Sequence, residues 1–427
     1  MKKETSDASI RRSMTATPND LKIIHSELDH ELNQRILPFW MNQMRDHEHG
    51  GFYGQYLNDG TVVKTAAKGA VLNARILWTF SAAYQTTGRD EYLQQAKLAY
   101  EYFTRHFIDS THGGVYWSVD YRGKALNTRK QIYAQAFAMY ALSEYFKASQ
   151  DTTAIMAAID LYNLIELHAF DREFNGYTEA FGRSWETLAD LRLSSKDANE
   201  PKSMNTHLHV LEAYTNLYDV WKDLELESQL VNLVRIHFDH ILHGPTQHFN
   251  LFFNMQWEAQ SSAYSYGHDI EGAWLIRRAA LVLDRKSLIE EANTRACAMA
   301  KVTLNEGIAK DGSLLNEGHS GAVTDTNRHW WPQAEAFVGF LDAFEICREE
   351  MYFDAAKDVW GFIKERLRHP SGEWWWQVDA QYQPDMQADL AGEWKCPYHN
   401  ARMCLEGMRR TAANIQQIIT ASEIQKS

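Results

Sequence analysis

His49-Gly50-Gly51-Phe52-Tyr53-Gly54 returns in looser form as His112-Gly113-Gly114-Val115-Tyr116-Trp117, then as Phe174-Asn175-Gly176-Tyr177, Asp311-Gly312-Ser313-Leu314 and Ser371-Gly372-Glu373-Trp374. Each is a turn followed by a short aromatic run, the signature of a small hairpin. Glycines 51, 114, 176, 312 and 372 are spaced by 63, 62, 136 and 60 residues. The gap of 136 leaves room for a degenerate copy between His243-Gly244 and Phe253, which makes six units.

Between the turns the apolar residues recur at helical spacing, as in segments 70–84, 132–145, 205–218 and 270–283. Each gap holds two helices of about 12–20 residues. Six helix pairs in series predict an all-α fold, a single (α/α)6 barrel with short β-hairpin loops at one mouth. Its inner helices are apolar on most sides and its outer helices amphipathic. An open helical solenoid is the rival. The absence of obvious polar caps on the end units favours closure. No Pro/Gly/Ser linker divides the chain, so one domain is expected over residues 17–420, opening at Thr17-Pro18-Asn19-Asp20. Residues 1–16 read as a polar, disordered tail without the apolar core of a secretory signal, and 421–427 as a second tail.

Composition narrows the function. The 427 residues are 45% hydrophobic with a formal charge of −13 and no basic run, which disfavours nucleic acid as a partner. No run of about 18 apolar residues suggests a membrane span. The four cysteines, Cys297, Cys347, Cys396 and Cys404, form no CxxC pair. Neither a disulfide framework nor a zinc site is expected, and a reducing cytoplasm fits best. The 14 tryptophans offer flat faces suited to the C–H surfaces of sugars, although most must serve the core.

Four polar insertions stand where a buried helix should be apolar. Arg75 sits in Ala74-Arg75-Ile76-Leu77-Trp78 and is costly there unless ion-paired or facing a cavity. In Asn205-Thr206-His207-Leu208-His209 the two histidines point to opposite helix faces. Asn205 and His209 share one, and Glu212 stands one turn on to orient His209. His268 and Glu271 share a face after Tyr264-Ser265-Tyr266-Gly267, so the carboxylate is expected to set the imidazole tautomer. In Trp394-Lys395-Cys396-Pro397-Tyr398-His399-Asn400, Pro397 suits the first turn of a helix running to Arg409. That places His399 near a positive helix end, which favours its neutral form. Each of these also has an ordinary structural reading, as an ion pair or a cap. No phosphate loop, GxSxG elbow or HExxH motif occurs. Three separated histidines with carboxylate neighbours suit proton transfer better than metal ligation.

Taken together these segments, with Trp330-Trp331-Pro332-Gln333-Ala334-Glu335, resemble the cellobiose 2-epimerases within the N-acylglucosamine 2-epimerase superfamily. The likeness runs from residue 75 to residue 400. It implies an (α/α)6 barrel, a disaccharide substrate, and catalysis without metal or organic cofactor; apart from the resemblance, a monomer is expected. His268 and His399 match the acid/base pair, His209 a third essential histidine, and Arg75 a pocket arginine. Tyr133, Asp197, Asn205, Glu271, Trp331 and Trp394 match residues that line the sugar site. The polar stretch 193–203, which carries Asp197, reads as a loop over the mouth. Three rivals stay open: an N-acylglucosamine epimerase or mannose isomerase of the same superfamily, a two-carboxylate glycoside hydrolase, and a non-catalytic binding barrel.

Overall fold

The computed structural model describes residues 17–424. The expected tail over 1–16 and residues 425–427 of the one expected over 421–427 lie outside the described residues; residues 421–424 instead belong to the last helix, which runs through Ile424 rather than stopping at Arg409. The chain opens with a capping box, in which the Thr17 hydroxyl accepts from the Asp20 backbone and the Asp20 carboxylate from that of Thr17. From there α1 (Pro18–Glu31) continues through a wider turn into α2 (Leu37–Asn42).

Helices then alternate between an inner and an outer ring. The inner ring is α3 (Ala70–Thr87), α5 (Ile132–Ser149), α7 (Met204–Val220), α9 (Tyr266–Leu283), α11 (Trp330–Cys347) and α13 (Tyr398–Ile424). The outer ring is α1 with α2, then α4 (Asp90–His106), α6 (Thr152–His168), α8 (Leu224–Ile236), α10 (Lys286–Val302) and α12 (Glu350–Phe362). Each inner helix packs on the next, and α13 returns to both α3 and α1, so the ring closes and the solenoid is excluded. Burial follows layer. From Ala70 to Ala83 every residue of α3 is buried, because neighbours surround it. On α4 the buried residues are Tyr92, Ala96, Ala99, Tyr102 and Phe103, a single stripe.

The glycine turns are the mini-hairpins the repeat implied. Bridges Arg45↔Phe52, Ile108↔Val115, Phe170↔Tyr177, Ile308↔Leu314 and Arg368↔Trp374 close them, and the degenerate copy is the pair Leu242–His243 with His248–Phe249. Gly51 and Gly176 have φ of +66° and +87°. A Cβ at Gly51 would come 2.7 Å from the Tyr102 ring, so only glycine fits. Units are stitched side by side at this mouth: Lys68 pairs with Val119, Lys130 with Phe181, Lys202 with Phe253 and Arg328 with Val378. Tyr56 pairs with Ala391 and joins first unit to last.

A buried ion pair clamps four of these turns. Lys68 meets Asp46 at 2.7 Å, Lys130 meets Asp109 at 3.2 Å, Lys202 meets Asp171 at 2.8 Å and Arg328 meets Asp311 at 3.1 Å. Each aspartate also accepts backbone N–H groups of its own turn. The clamp therefore ties turn geometry to the base of the following inner helix. The sequence reading found the glycines but not these aspartates, because their partners lie outside the turn.

One expectation is corrected. Cys297 on α10 and Cys347 at the end of α11 form a disulfide, 50 residues apart. Motif spacing could not reveal it, because the packing of two helices brings the thiols together. Cys396 and Cys404 are free and buried. Among the described residues no helix is long and apolar enough to cross a membrane.

Candidate active site

The β-strands that stitch the units lead directly into five of the inner helices, and α13 follows the Tyr56↔Ala391 bridge, so the helix N-termini gather at one mouth. The polar insertions lie in their first two turns. Arg75 is the sixth residue of α3 and His209 the sixth of α7. Tyr133, Trp331 and His399 are the second residues of their helices, and His268 the third of α9.

Arg75 is buried and donates from Nη2 to the Tyr133 hydroxyl at 2.8 Å. It lies over the rings of Phe137 at 4.2 Å and Tyr398 at 4.8 Å. No carboxylate stands within ion-pair distance of it among the described residues, and its Nε has no partner. The structural ion pair considered for Arg75 is therefore not formed. Tyr133 in turn packs edge-on to His209, ring centres 5.0 Å apart, so Arg75, Tyr133 and His209 form one cluster. Trp394 adjoins it at 6.0 Å from Tyr133.

His209 Nδ1 contacts Glu212 Oε2 at 2.9 Å, as the helix spacing implied. His207 points the other way. Its Nδ1 meets the Ser203 carbonyl at 2.6 Å, and its Nε2 accepts from Tyr177 N at 2.9 Å. It is a core residue.

His268 and His399 both pack against Trp331, with ring centres 4.6 Å and 5.6 Å from it. Here the sequence expectation for Glu271 fails. Glu271 does not hydrogen-bond His268, whose Nδ1 is buried and unpartnered. Instead Glu271 reaches Arg402 at 2.6 Å. The orienting carboxylate belongs to His399: Glu335 Oε1 lies 2.7 Å from its Nδ1. An ionised carboxylate can only accept, so this bond places the proton on Nδ1 and leaves the Nε2 lone pair as the basic site.

Arg402 is the residue that sequence reasoning missed. Its guanidinium bonds Glu212, Glu271, Glu335 and the Tyr398 hydroxyl. It thereby joins the two carboxylates that hold His209 and His399. The signal was present: Arg402 interrupts an apolar helix as Arg75 does, one turn after His399. Burial acts to raise the pKa of all three glutamates. At Glu212 this is overcome by Arg402, His209 and Tyr398, which bring it down to about 2. At Glu271 burial and the neighbouring Glu335 prevail over Arg402 and push it up to about 8. Burial and mutual repulsion thus favour a proton on the Glu271–Glu335 pair, beside the Arg402 guanidinium. Glu271, Glu335 and His399 could together offer three ligand atoms within 4.8 Å. Arg402, between the two carboxylates, already supplies the cation.

The remaining sequence candidates sit at the rim. Asn205 is half-buried, with its Oδ1 unpartnered. Asp197 lies in the irregular loop before Lys202, where its carboxylate accepts from Ser194 N at 2.7 Å. Among the described residues no hydrogen bond joins it to the histidines.

Burial, followed by the charge of His209, pushes His268 down to about 3. His399 is held well below the ordinary imidazole value by burial and then by Arg75 and Arg402. Both rings are thus neutral at pH 7 and stay so as pH falls through 6.5. For a reaction that needs a neutral imidazole, the acid limb of the kcat/KM profile is expected well below pH 6.5. A pH–rate series from 4 to 8 with an acid midpoint near 6.5 would contradict these surroundings.

Comparison with known proteins places the chain in a family. Residues 51–402 match the model of the N-acylglucosamine 2-epimerase (GlcNAc 2-epimerase) family. The chain is 48% identical over 388 residues to a cellobiose 2-epimerase of Bacteroides fragilis, covering 90% of this chain and 98% of that protein. It superposes on the structure of cellobiose 2-epimerase from Bacillus thermoamylovorans B4167 with a TM-score of 0.88 at 41% identity, covering 91% of this chain and all of the other. A D-mannose isomerase of Marinomonas mediterranea is 23% identical, over 88% of this chain and 95% of its own length. This chain belongs to the N-acylglucosamine 2-epimerase family, on the branch of the cellobiose 2-epimerases.

Proposed function

We propose that the chain catalyses reversible epimerisation at C2 of the reducing-end glucose of β-1,4-linked disaccharides such as cellobiose, by proton transfer through its histidines. The observation that carries this reading is the pair of neutral imidazoles, His268 and His399, both packed against Trp331. The 48% identity to the Bacteroides fragilis cellobiose 2-epimerase supports cellobiose over mannose or N-acylglucosamine.

The C2–H bond is not acidic in the closed ring. Ring opening moves the proton of the 1-hydroxyl to the ring oxygen, which a neutral imidazole can shuttle by accepting first and donating second. The C2 proton then lies α to an aldehyde. One imidazole takes it, the electron pair moves onto O1, and a cis-enediolate forms. Arg75 is suited to hold that charge, because no carboxylate pairs it and its Nε is unpartnered. His209, beside Tyr133, is the second candidate for that oxygen. Reprotonation at C2 on the opposite face gives the manno epimer, and protonation at C1 would give a ketose as a side product. Trp331, Trp394, Asn205, Tyr133 and Asp197 are proposed to line the sugar, with the 193–203 loop over the mouth. The chemistry draws on no metal or organic cofactor.

Cellobiose in D2O with EDTA, followed by NMR, tests the reading. The expected result is a glucosyl-mannose product with deuterium at C2. Release of free glucose would favour a hydrolase, and an unchanged spectrum would remove cellobiose as the substrate.

A further inference from the structure

The barrel has a second opening. Trp78, Ala82, Tyr140, Trp274, Leu275 and Leu405 wall a cavity of about 700 Å³, a size usual for small-molecule sites. These residues come from the middle of the inner helices onward, away from the N-termini that carry His268 and His399. Glu212 and Arg402 also line it. The cavity therefore reaches from behind the ionic layer that holds the catalytic-mouth histidines.

Most of its charges are matched within the protein. At the rim Lys147 meets Glu144 at 3.4 Å and Asp219 at 3.2 Å, Arg278 meets Asp219 at 2.9 Å, and Arg409 meets Glu406 at 2.5 Å. Asp29 also lines it, and its carboxylate accepts from Asn33 Nδ2 at 2.8 Å. A wholly apolar ligand meets a polar rim. Inside, the walls are aromatic and aliphatic. Trp78 and Tyr140 stack there, with ring centres 5.3 Å apart. Flat aromatic faces inside a polar rim match a molecule with both C–H surface and hydroxyls.

We infer that this far mouth is a second ligand site, taking a neutral polyhydroxylated molecule of mono- to disaccharide size. Its occupant would lie against Glu212 and Arg402, and so against the groups that orient His209 and His399. The inference does not depend on the reaction proposed above.

The test uses methyl β-cellobioside, whose blocked C1 cannot open and turn over, and sorbitol, which lacks the ring. Binding to the intact protein is read by saturation-transfer NMR. Thr86→Trp narrows the exposed rim where a large side chain can yield into solvent, and Ala82→Phe fills the interior. Trp331→Ala removes the catalytic-mouth platform. The expected result is a glycoside signal at millimolar concentration that is kept in Trp331→Ala and lost when Trp331→Ala is combined with Thr86→Trp or Ala82→Phe. A sorbitol signal with the same dependence also supports the site and widens its ligand class to open polyols. No signal from either compound overturns the inference. So does a signal that survives both far-mouth variants and vanishes with Trp331→Ala.

Discussion

His399→Ala is expected to lower kcat for C2 epimerisation by roughly 10²–10⁴-fold, the usual contribution of a positioned proton-transfer group. The fold should tolerate the change, because Glu335, relieved of the imidazole, still accepts from Arg402 at 2.7 Å and from Trp274 Nε1 at 3.1 Å. A melting temperature within a few degrees of wild type, beside the collapse in kcat, separates a chemical loss from a structural one. His268→Ala makes the informative comparison. If each imidazole serves one face of C2, each single variant keeps deuterium exchange into one epimer and loses inversion. If a single base works while the intermediate rotates, one variant abolishes exchange into both epimers and the other does not. Retention of more than a tenth of wild-type kcat by both variants would remove the histidines from the mechanism.

Arg402→Ala should be the most damaging single change in the barrel. The guanidinium is buried and holds Glu212, Glu271 and Glu335 together. Removing one partner of a buried ion pair costs about 3–5 kcal/mol, because the other charge is left without compensation. Here three carboxylates lose the same cation. The pH dependence carries the diagnosis. Unpaired and buried, the glutamates have folded-state pKa values above their unfolded values. Their contribution is then most favourable at low pH and is lost as pH rises through the folded values. The melting deficit of Arg402→Ala relative to wild type should therefore be larger at pH 8 than at pH 5. Activity should fall as well, because Glu335 and Glu212 no longer hold His399 and His209 in place. Arg402→Lys keeps one charge but not the fork that spans three acceptors, so it should recover part of the stability and little of the rate. A deficit independent of pH would mean that packing against Tyr398 and Trp274, not charge, explains the loss.

Much of this was readable from local order along the chain. A turn glycine with positive φ recurs at sixty-odd residues in five of the six units, a backbone demand that only glycine meets at Gly51 and Gly176, so the period stood in the letters. Helix spacing likewise separated His209 from His207, since residues two apart face opposite ways whatever surrounds them, and it placed Glu212 beside His209. The long apolar runs marked the inner helices, because only a helix enclosed on all sides has no polar face. Which inner face meets which was decided by closure of the ring. Glu271 and His268 share a helix face, yet Glu271 turns to Arg402, 131 positions along the chain, because an unsatisfied guanidinium in that layer outweighs a neutral imidazole. Glu335 reaches His399 across 64 positions, Glu212 reaches Arg402 across 190, and Cys297 finds Cys347 between two packed helices. Periodicity specifies the direction a side chain takes from its own helix. Its partner is specified by the helix that tertiary packing sets opposite, and that depends on the whole circuit of the barrel.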